Sequence, residues 1–455
     1  MRVKRVGRTV MAAAIAWTLA GQAQAQSLTD AFISAYRESG LLEQNRALVR
    51  AADEDVAQAV AALRPVLNYL ASTTYTSPVG LGQDNLSFGL GLSADLLIYD
   101  NGATDYAVSA AKEAVLAARE ALRGVEQDVL LRAARAYFNV RRSAEFVDLA
   151  EGSVRVITQE LRAARDRFEV GEVTRTDVAI AEARLAASRS TLAAAVGDLA
   201  QAREEYRAVV GDYPGQLASP PATPSIPDTL DAAIAIARDR HPAIKEAQRE
   251  TQVAELNVLR AEASLGPTLS ANADLNFDED WDNRRSVGLT FSGPIYQGGR
   301  LTSLVRQARA RRDASRAALY SVVRQVEQAV GNAWAVLNVT GASIQAGQQQ
   351  SQAADVALQG VQEELRLGAR TTLDVLNAEQ ELLDARANLV SAQIDQQIAV
   401  YALWQAMGML TVDGLNLGIA TYDPAAYYKA VESAPVRNVS PRGEKLDHVL
   451  KSLLR

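Results

Sequence analysis

Apolar positions follow two rhythms along this chain. In four short segments they alternate with polar or small residues. Leu67, Tyr69, Ala71, Thr73 and Tyr75 take every second place in the first, and Leu86, Phe88, Leu90, Leu92, Ala94, Leu96 and Ile98 in the second. Leu269, Ala271, Ala273, Leu275 and Phe277 alternate with Ser270, Asn272, Asp274 and Asn276, and Val287, Leu289 and Phe291 with Gly288, Thr290 and Ser292. A period of two gives a strand one greasy face and one wet face. Strands are expected over about 66–76, 86–98, 268–277 and 286–296. Runs of about ten residues are what a tilted membrane strand needs.

The rest reads as helix. One helix is expected over Leu28–Leu63 and another over Leu230–Leu265, stopped by Pro65 and Pro267. No proline occurs between Pro78 and Pro214, or between Pro294 and Pro424. Within these tracts Gly171 and Gly368 suit helix C-termini, and Thr174 and Thr371 suit N-caps. Each tract therefore predicts a helix of about 65 residues, a tight turn and a returning helix of about 35, the longer reaching roughly 100 Å. No globular core uses a helix that long. The alanine content suits close packing in a coiled-coil wall.

The order repeats. Leu28-Thr29-Asp30-Ala31 answers to Leu230-Asp231-Ala232-Ala233, Arg64-Pro65 to Gly266-Pro267, and Ile98-Tyr99-Asp100-Asn101-Gly102 to Ile295-Tyr296-Gln297-Gly298-Gly299. At one fixed offset Gly171, Thr174, Asp177, Val178, Ala181, Glu182 and Leu185 recur as Gly368, Thr371, Asp374, Val375, Ala378, Glu379 and Leu382. The expected organisation is a signal peptide at 1–25, a first repeat at 26–213, a proline-rich linker at 214–227, a second repeat at 228–420 and a polar tail at 421–455.

The N-terminus sets the compartment. Arg2, Lys4, Arg5 and Arg8 precede the apolar run Val10 to Ala20, and Ala23-Gln24-Ala25 forms a cleavage site, so the chain reads as exported. No later apolar run is long enough to span a bilayer as a helix, so any crossing must be a β-barrel. Four strands cannot close one, since the smallest outer-membrane barrels have about eight. Several copies must contribute, either a dimer with eight strands or a trimer with twelve.

Composition removes other classes. Of 455 residues 48% are apolar but only 5% aromatic, which favours long helices over a core of large side chains. Cysteine is absent and the only histidines are His241 and His448, too few for a histidine metal site. A net charge of −7 speaks against nucleic acid. There is no phosphate-binding loop, metal constellation or nucleophile–base pair, so no enzyme and no cofactor is expected.

Three motifs sharpen the reading. Val287-Gly288-Leu289-Thr290-Phe291-Ser292-Gly293-Pro294-Ile295-Tyr296-Gln297-Gly298-Gly299 resembles the strand-to-helix junction of TolC-type export channels. Ala134-Arg135-Ala136-Tyr137-Phe138-Asn139-Val140 is similar to a helix segment of the same family, and the two Gly…Asp-Val hairpins resemble its periplasmic tips. The resemblance runs from about Leu28 to Leu417. It implies a mostly α fold of two helix–strand–strand–long helix–helix repeats. It further implies a homotrimer whose twelve-stranded outer-membrane β-barrel continues into a long periplasmic α-helical barrel. Implied partners are outer-membrane lipid, a periplasmic adaptor (membrane fusion protein) and an inner-membrane transporter of the ABC type or a proton-driven pump. Tyr422-Asp423-Pro424-Ala425-Ala426-Tyr427-Tyr428 is similar to the ending of members serving type I protein secretion, which favours that role over multidrug or small-molecule efflux. The rival class is an exported coiled-coil scaffold or adhesin with a small soluble β-domain.

The resemblance also implies a gate. Asp374 falls on the first position of an acidic lumenal ring, and Asn377 occupies the second. Arg370 matches a latch arginine, Thr176 and Asp177 match its partners, and Leu365 replaces a partner tyrosine. Val170, Gly171, Leu367 and Gly368 match tips where adaptor hairpins dock. The plainer readings are a first-turn Asp favoured by the helix dipole, a weak surface ion pair and ordinary turn glycines. Trp281, in the charged segment Asp278–Arg285, is expected in an extracellular loop or at the membrane interface. Trp334 and Trp404 are expected to pack helices, and His241-Pro242 to start one. The tail from Lys429 on is expected to be mobile, with a short helix at Leu446–Leu454.

Overall fold

Backbone chemistry divides the chain where side chains can cap it. The structure is a computed structural model that describes residues 26–75, 77, 86–278 and 281–434. The signal peptide, the 435–455 stretch with its expected helix, and His448 lie outside the described residues. The first repeat is α1 (Leu28–Glu38), α2 (Gly40–Ala61), β1 (Val66–Tyr75), β2 (Leu86–Tyr99), α3 (Ala103–Glu169) and α4 (Arg175–Val210). The second is α5 (Leu230–Arg240), α6 (Pro242–Ala263), β3 (Thr268–Phe277), β4 (Asn283–Ser292), α7 (Arg300–Arg366) and α8 (Thr372–Ala406). A last helix, α9, covers Pro424–Val431.

The leading helix of each repeat is two helices, where the sequence suggested one. His241 is an extended N-cap whose Nδ1 accepts from the Ala243 N–H at 3.2 Å, and Pro242 opens α6 because it lacks the N–H that the preceding turn would need. The first repeat breaks at the same place without proline. Ser39 turns extended and its hydroxyl accepts from the Leu42 N–H at 3.3 Å. The fourth strand also differs from expectation. It starts at Asn283 and stops at Ser292, since Pro294 has no N–H for a ladder.

The four strands form one antiparallel sheet in the order β1-β2-β3-β4. Register aligns the alternation across it. Tyr69 faces Leu92, Leu92 faces Leu275, Ala273 faces Val287 and Ala271 faces Leu289, all on one side. Ser93, Asp274 and Ser286 line up on the other, beside Asp95 and Asn272. Among the described residues no helix or second sheet covers the apolar side: Tyr69 is 82% exposed and Val287 89%. Among the described residues β1 and β4 have no partner on their outer edges.

Below the sheet stand the two 67-residue helices α3 and α7, each roughly 100 Å long. Asp100 prepares the start of α3, accepting from the Gly102 and Thr104 N–H groups at 3.1 and 2.7 Å. The helix α4 returns along α3, α8 returns along α7, and α3 meets α8. The main core lies where α1, α3, α4, α5, α7 and α8 converge. There the Tyr137-Phe138 pair is fully buried, and Phe138 and Phe32 both pack against Tyr401, Phe32 edge-on at 5.7 Å. Tyr137 also donates to the Ala218 carbonyl at 2.6 Å, and Trp404 donates to the Ser225 carbonyl at 3.0 Å. Both bonds pin the proline-rich linker to the helices.

The tail is not loose at its start. Asp423 caps α9, and Tyr427 and Val431 bury against Ala57 of α2. The Tyr427 hydroxyl donates to Glu54 at 2.6 Å, and Arg64 donates to the carbonyls of Ser433 and Ala434. The expectation of mobility from Lys429 is therefore corrected as far as Ala434, because two apolar side chains one helical turn apart give this segment a docking face.

Candidate functional site: the helical tips

Each tip is built by local chemistry. Val170 ends α3, Gly171 adopts φ +83°, and its N–H reaches the Phe168 carbonyl at 3.0 Å. Leu367 ends α7 in the same way, with Gly368 at φ +76° bonded to Leu365 at 3.0 Å. Only glycine takes this left-handed backbone without strain, so the turn reverses in the fewest residues. Val170 is 70% exposed and Leu367 84%, so each tip presents an uncovered apolar side chain.

The returning helices open on matched capping boxes. Thr174 and Asp177 exchange bonds of 2.8 and 3.3 Å, and Thr371 and Asp374 bonds of 2.9 and 3.3 Å. These bonds stabilise the ionised carboxylates. The Thr174 hydroxyl and then its N–H hold Asp177 below its ordinary pKa, and the Thr371 N–H and then its hydroxyl do the same for Asp374. Both acids stay charged at neutral pH. Farther from the tip burial acts in the opposite sense on Glu160 of α3 and Glu379 of α8, raising both, with Glu160 itself a further raising influence on Glu379.

The residues implied as a latch do not meet within one chain. Arg370 donates from Nε to Glu364 Oε2 of its own hairpin at 2.8 Å, a contact that raises its pKa. Asp177 is engaged by Thr174, and Thr176 is exposed. Asn377 is not free either, since its Oδ1 accepts from Arg184 of α4 at 2.8 Å. Sequence reasoning overlooked Arg184 and Glu364. The Glu364–Arg370 spacing across a turn was a readable signal, whereas the Arg184–Asn377 pair joins positions on separate hairpins.

Elsewhere, Trp281 sits at the sheet end away from the helices, exposed, with its ring 6.3 Å from that of Phe277. Trp334 packs on the main core. No helix among the described residues is long and apolar enough to cross a membrane. No group of three His, Cys, Asp or Glu side chains among them is placed to hold a metal ion.

A sheet with an uncovered apolar face, joined end to end with helices of this length, is the architecture of a channel-tunnel chain. Comparison with known proteins agrees. A family model described as outer membrane efflux protein matches residues 34–212 and 233–409. Outer membrane efflux protein BepC of Brucella suis is 36% identical over 425 residues, covering 91% of this chain and 92% of that protein. Outer membrane protein TolC of Vibrio cholerae is 27% identical over 426 residues, covering 88% and 96%. Proteases secretion protein PrtF of Dickeya chrysanthemi is 27% identical over 407 residues, covering 82% and 86%. A crystal structure of CusC superposes with a TM-score of 0.76 at 21% identity, covering 85% of this chain and 92% of that one. The chain belongs to the outer membrane efflux protein family, the family of TolC. It is an outer-membrane channel protein with a periplasmic helical tunnel, and not an enzyme.

Proposed function

We propose that three copies join edge to edge into one twelve-stranded barrel and export substrates handed up by a periplasmic adaptor and an inner-membrane transporter. The observation that carries this reading is the sheet: one face mostly apolar, interrupted by Thr73, Asn283 and Arg285, the other mostly polar, and β1 and β4 both open at their edges among the described residues. In lipid every backbone group needs a partner, so the edges must pair with other copies, and the polar face then lines the lumen. In this reading Asp374 contributes one carboxylate per copy to a ring at the closed tip, with Asn377 a turn behind it. Arg370 reaches Thr176 and Asp177 of another copy, and Val170, Gly171, Leu367 and Gly368 receive the adaptor. Native mass spectrometry of the detergent-extracted protein tests the assembly. Three chains are expected, and a monomer or an even-numbered ring would refute it.

The proposed cargo is protein, exported by a type I route, on the strength of the Tyr422–Tyr428 ending. Small-molecule efflux is the second reading, favoured by the 36% identity to BepC, named for efflux. Deleting the gene separates them. Proteins disappearing from the culture medium with unchanged drug sensitivity mark secretion, and the converse marks efflux.

A further inference from the structure

One stretch of α3 breaks the pattern expected of a helix that is flanked on both sides. Both α2 and α6 pack on α3, and such a helix should turn apolar side chains toward its neighbours. Instead Arg119, Glu120, Arg123, Glu126 and Gln127 recur there at helical spacing. They line a cavity of about 920 Å³ between the helices, in the size range of sites for drug-sized ligands. The rim of this cavity is tied down. Glu126 accepts from the Val412 N–H at 2.7 Å, and Arg119 donates to the Pro424 carbonyl at 3.3 Å. Gly408, at φ +75°, lies so near the start of α6 that an added Cβ would stand 2.6 Å from His241 Cα. The loop after α8 and the segment before α9 are thereby held against the helices as fixed walls.

The walls carry polar groups that the protein itself does not match. Gln127 is 2% exposed, and its Nε2 meets no acceptor among the described residues. Arg119 Nε and Glu120 Oε2 are buried without a partner as well. Unmatched buried polar atoms are costly, so three of them around one cavity call for an occupant that matches them. The charges say what kind. Lys245 lines the cavity from the first turn of α6, which holds no acid although the helix dipole favours anions there. Arg240 lines it too, and its contact with Asp239 is long at 3.9 Å. Glu120 and Asp413 bring the opposite sign to the same space. We propose that this cavity binds a short peptide by both free ends, the terminal carboxylate on Lys245 and Arg240 and the terminal ammonium on Glu120 and Asp413. Gln127 then donates to a peptide carbonyl between them, and Leu42, Leu116 and Met409 offer apolar contact to its side chains. A lone phosphate fits less well, since Glu126, Asp413 and Asp423 share the walls and would repel it, whereas a zwitterion uses both signs. The proposal is independent of the number of chains in the assembly and of the exported cargo. Occupancy also reaches α9, because the Arg119 guanidinium lies over the Tyr428 ring at 5.3 Å.

The test is calorimetric titration of the detergent-purified full-length protein with trialanine. Trialanine acetylated at its N-terminus, trialanine amidated at its C-terminus and inorganic phosphate are run beside it. Free trialanine is expected to bind saturably, one per chain, and each blocked form to bind roughly tenfold more weakly, the size of one charge-assisted hydrogen bond. Lys245→Met keeps the apolar stem but loses the ammonium, and should weaken free trialanine roughly tenfold while leaving the amidated form unchanged. Gln127→Leu should weaken all three peptides alike and should not lower the thermal midpoint of the unliganded protein, since it removes an unmatched donor. Hydrogen exchange over Pro424–Val431 should slow when free trialanine is bound. The proposal is overturned if trialanine gives no saturable heat, if the blocked forms bind as well as the free one, or if phosphate binds and the peptide does not. It is overturned equally if Lys245→Met and Gln127→Leu fold and bind trialanine as wild type does, because the peptide then sits elsewhere.

Discussion

Val287 and Ser286 are neighbours in β4 that point to opposite sides of the sheet, and replacing each by arginine asks which side meets lipid. Val287 sits mid-strand opposite Ala273, 89% exposed on the face shared with Leu289 and Leu275. Ser286 stands opposite Asp274, to which its hydroxyl donates at 3.1 Å. At the middle of a lipid-facing strand an arginine costs about 2–4 kcal/mol, and in a trimer the penalty occurs three times, on the order of 6–12 kcal/mol for the assembly. On the lumenal face Ser286→Arg meets water and the Asp274 carboxylate, so its cost should be near zero. The assay is urea titration of the folded protein in lipid vesicles, read by protease protection of the strands. Val287→Arg is expected to lower the unfolding midpoint strongly or to leave the protein unassembled, while Ser286→Arg behaves as wild type. Equal sensitivity at the two positions, or the reverse order, would refute the assignment of faces.

Four further outcomes follow from the tips and the tail. Asp374→Asn keeps an acceptor for the Thr371 N–H but removes the ring charge, so reversal potentials should lose the cation preference that a ring of carboxylates confers. The capping bonds depress the Asp374 pKa, so wild-type selectivity and the cap's contribution to stability should hold at neutral pH and disappear only as pH falls through a value below the usual aspartate range; Asp177→Asn, the same cap on the other hairpin, should leave selectivity alone. Gly368→Ala meets open space but a left-handed φ of +76°, so it should cost about 1–2 kcal/mol of local turn stability without unfolding the hairpin, visible as faster hydrogen exchange at the tip. Asp53 is fully buried beside Arg119, which lies over the Tyr428 ring, and burial pushes its carboxyl up to about 6. A raised pKa means the folded state holds the proton, so docking of α9 should be tightest in acid and weaken as pH rises through about 6; exchange rates over Pro424–Val431 should lose this dependence in Asp53→Asn.

Much of the fold was legible because it rests on local pattern. The period-two segments, the proline-free tracts and the Gly…Thr…Asp hairpins each carry their own conformational signal. The break at Ser39 was harder to read, since serine and glycine end a helix less forcefully than the His241-Pro242 pair. The tail helix was underestimated because Tyr427 and Val431 look unremarkable until α2 offers them a surface. At the site, family likeness pointed to Asp374, Asn377 and Arg370. It could not tell that Arg370 bonds Glu364, or that Asn377 is held by Arg184, because such pairings depend on how two hairpins are set side by side. The capping role of Asp177 and Asp374 was written in the Thr-x-x-Asp spacing itself.

The central question is whether this protein makes a conduit. Single-channel recording of the detergent-purified oligomer in a planar bilayer asks that directly. Discrete, small, cation-selective steps are expected from wild type, with larger steps when Arg370 is replaced by serine. A protein that stays in the aqueous fraction, forms no detergent-stable oligomer and passes no current would contradict it.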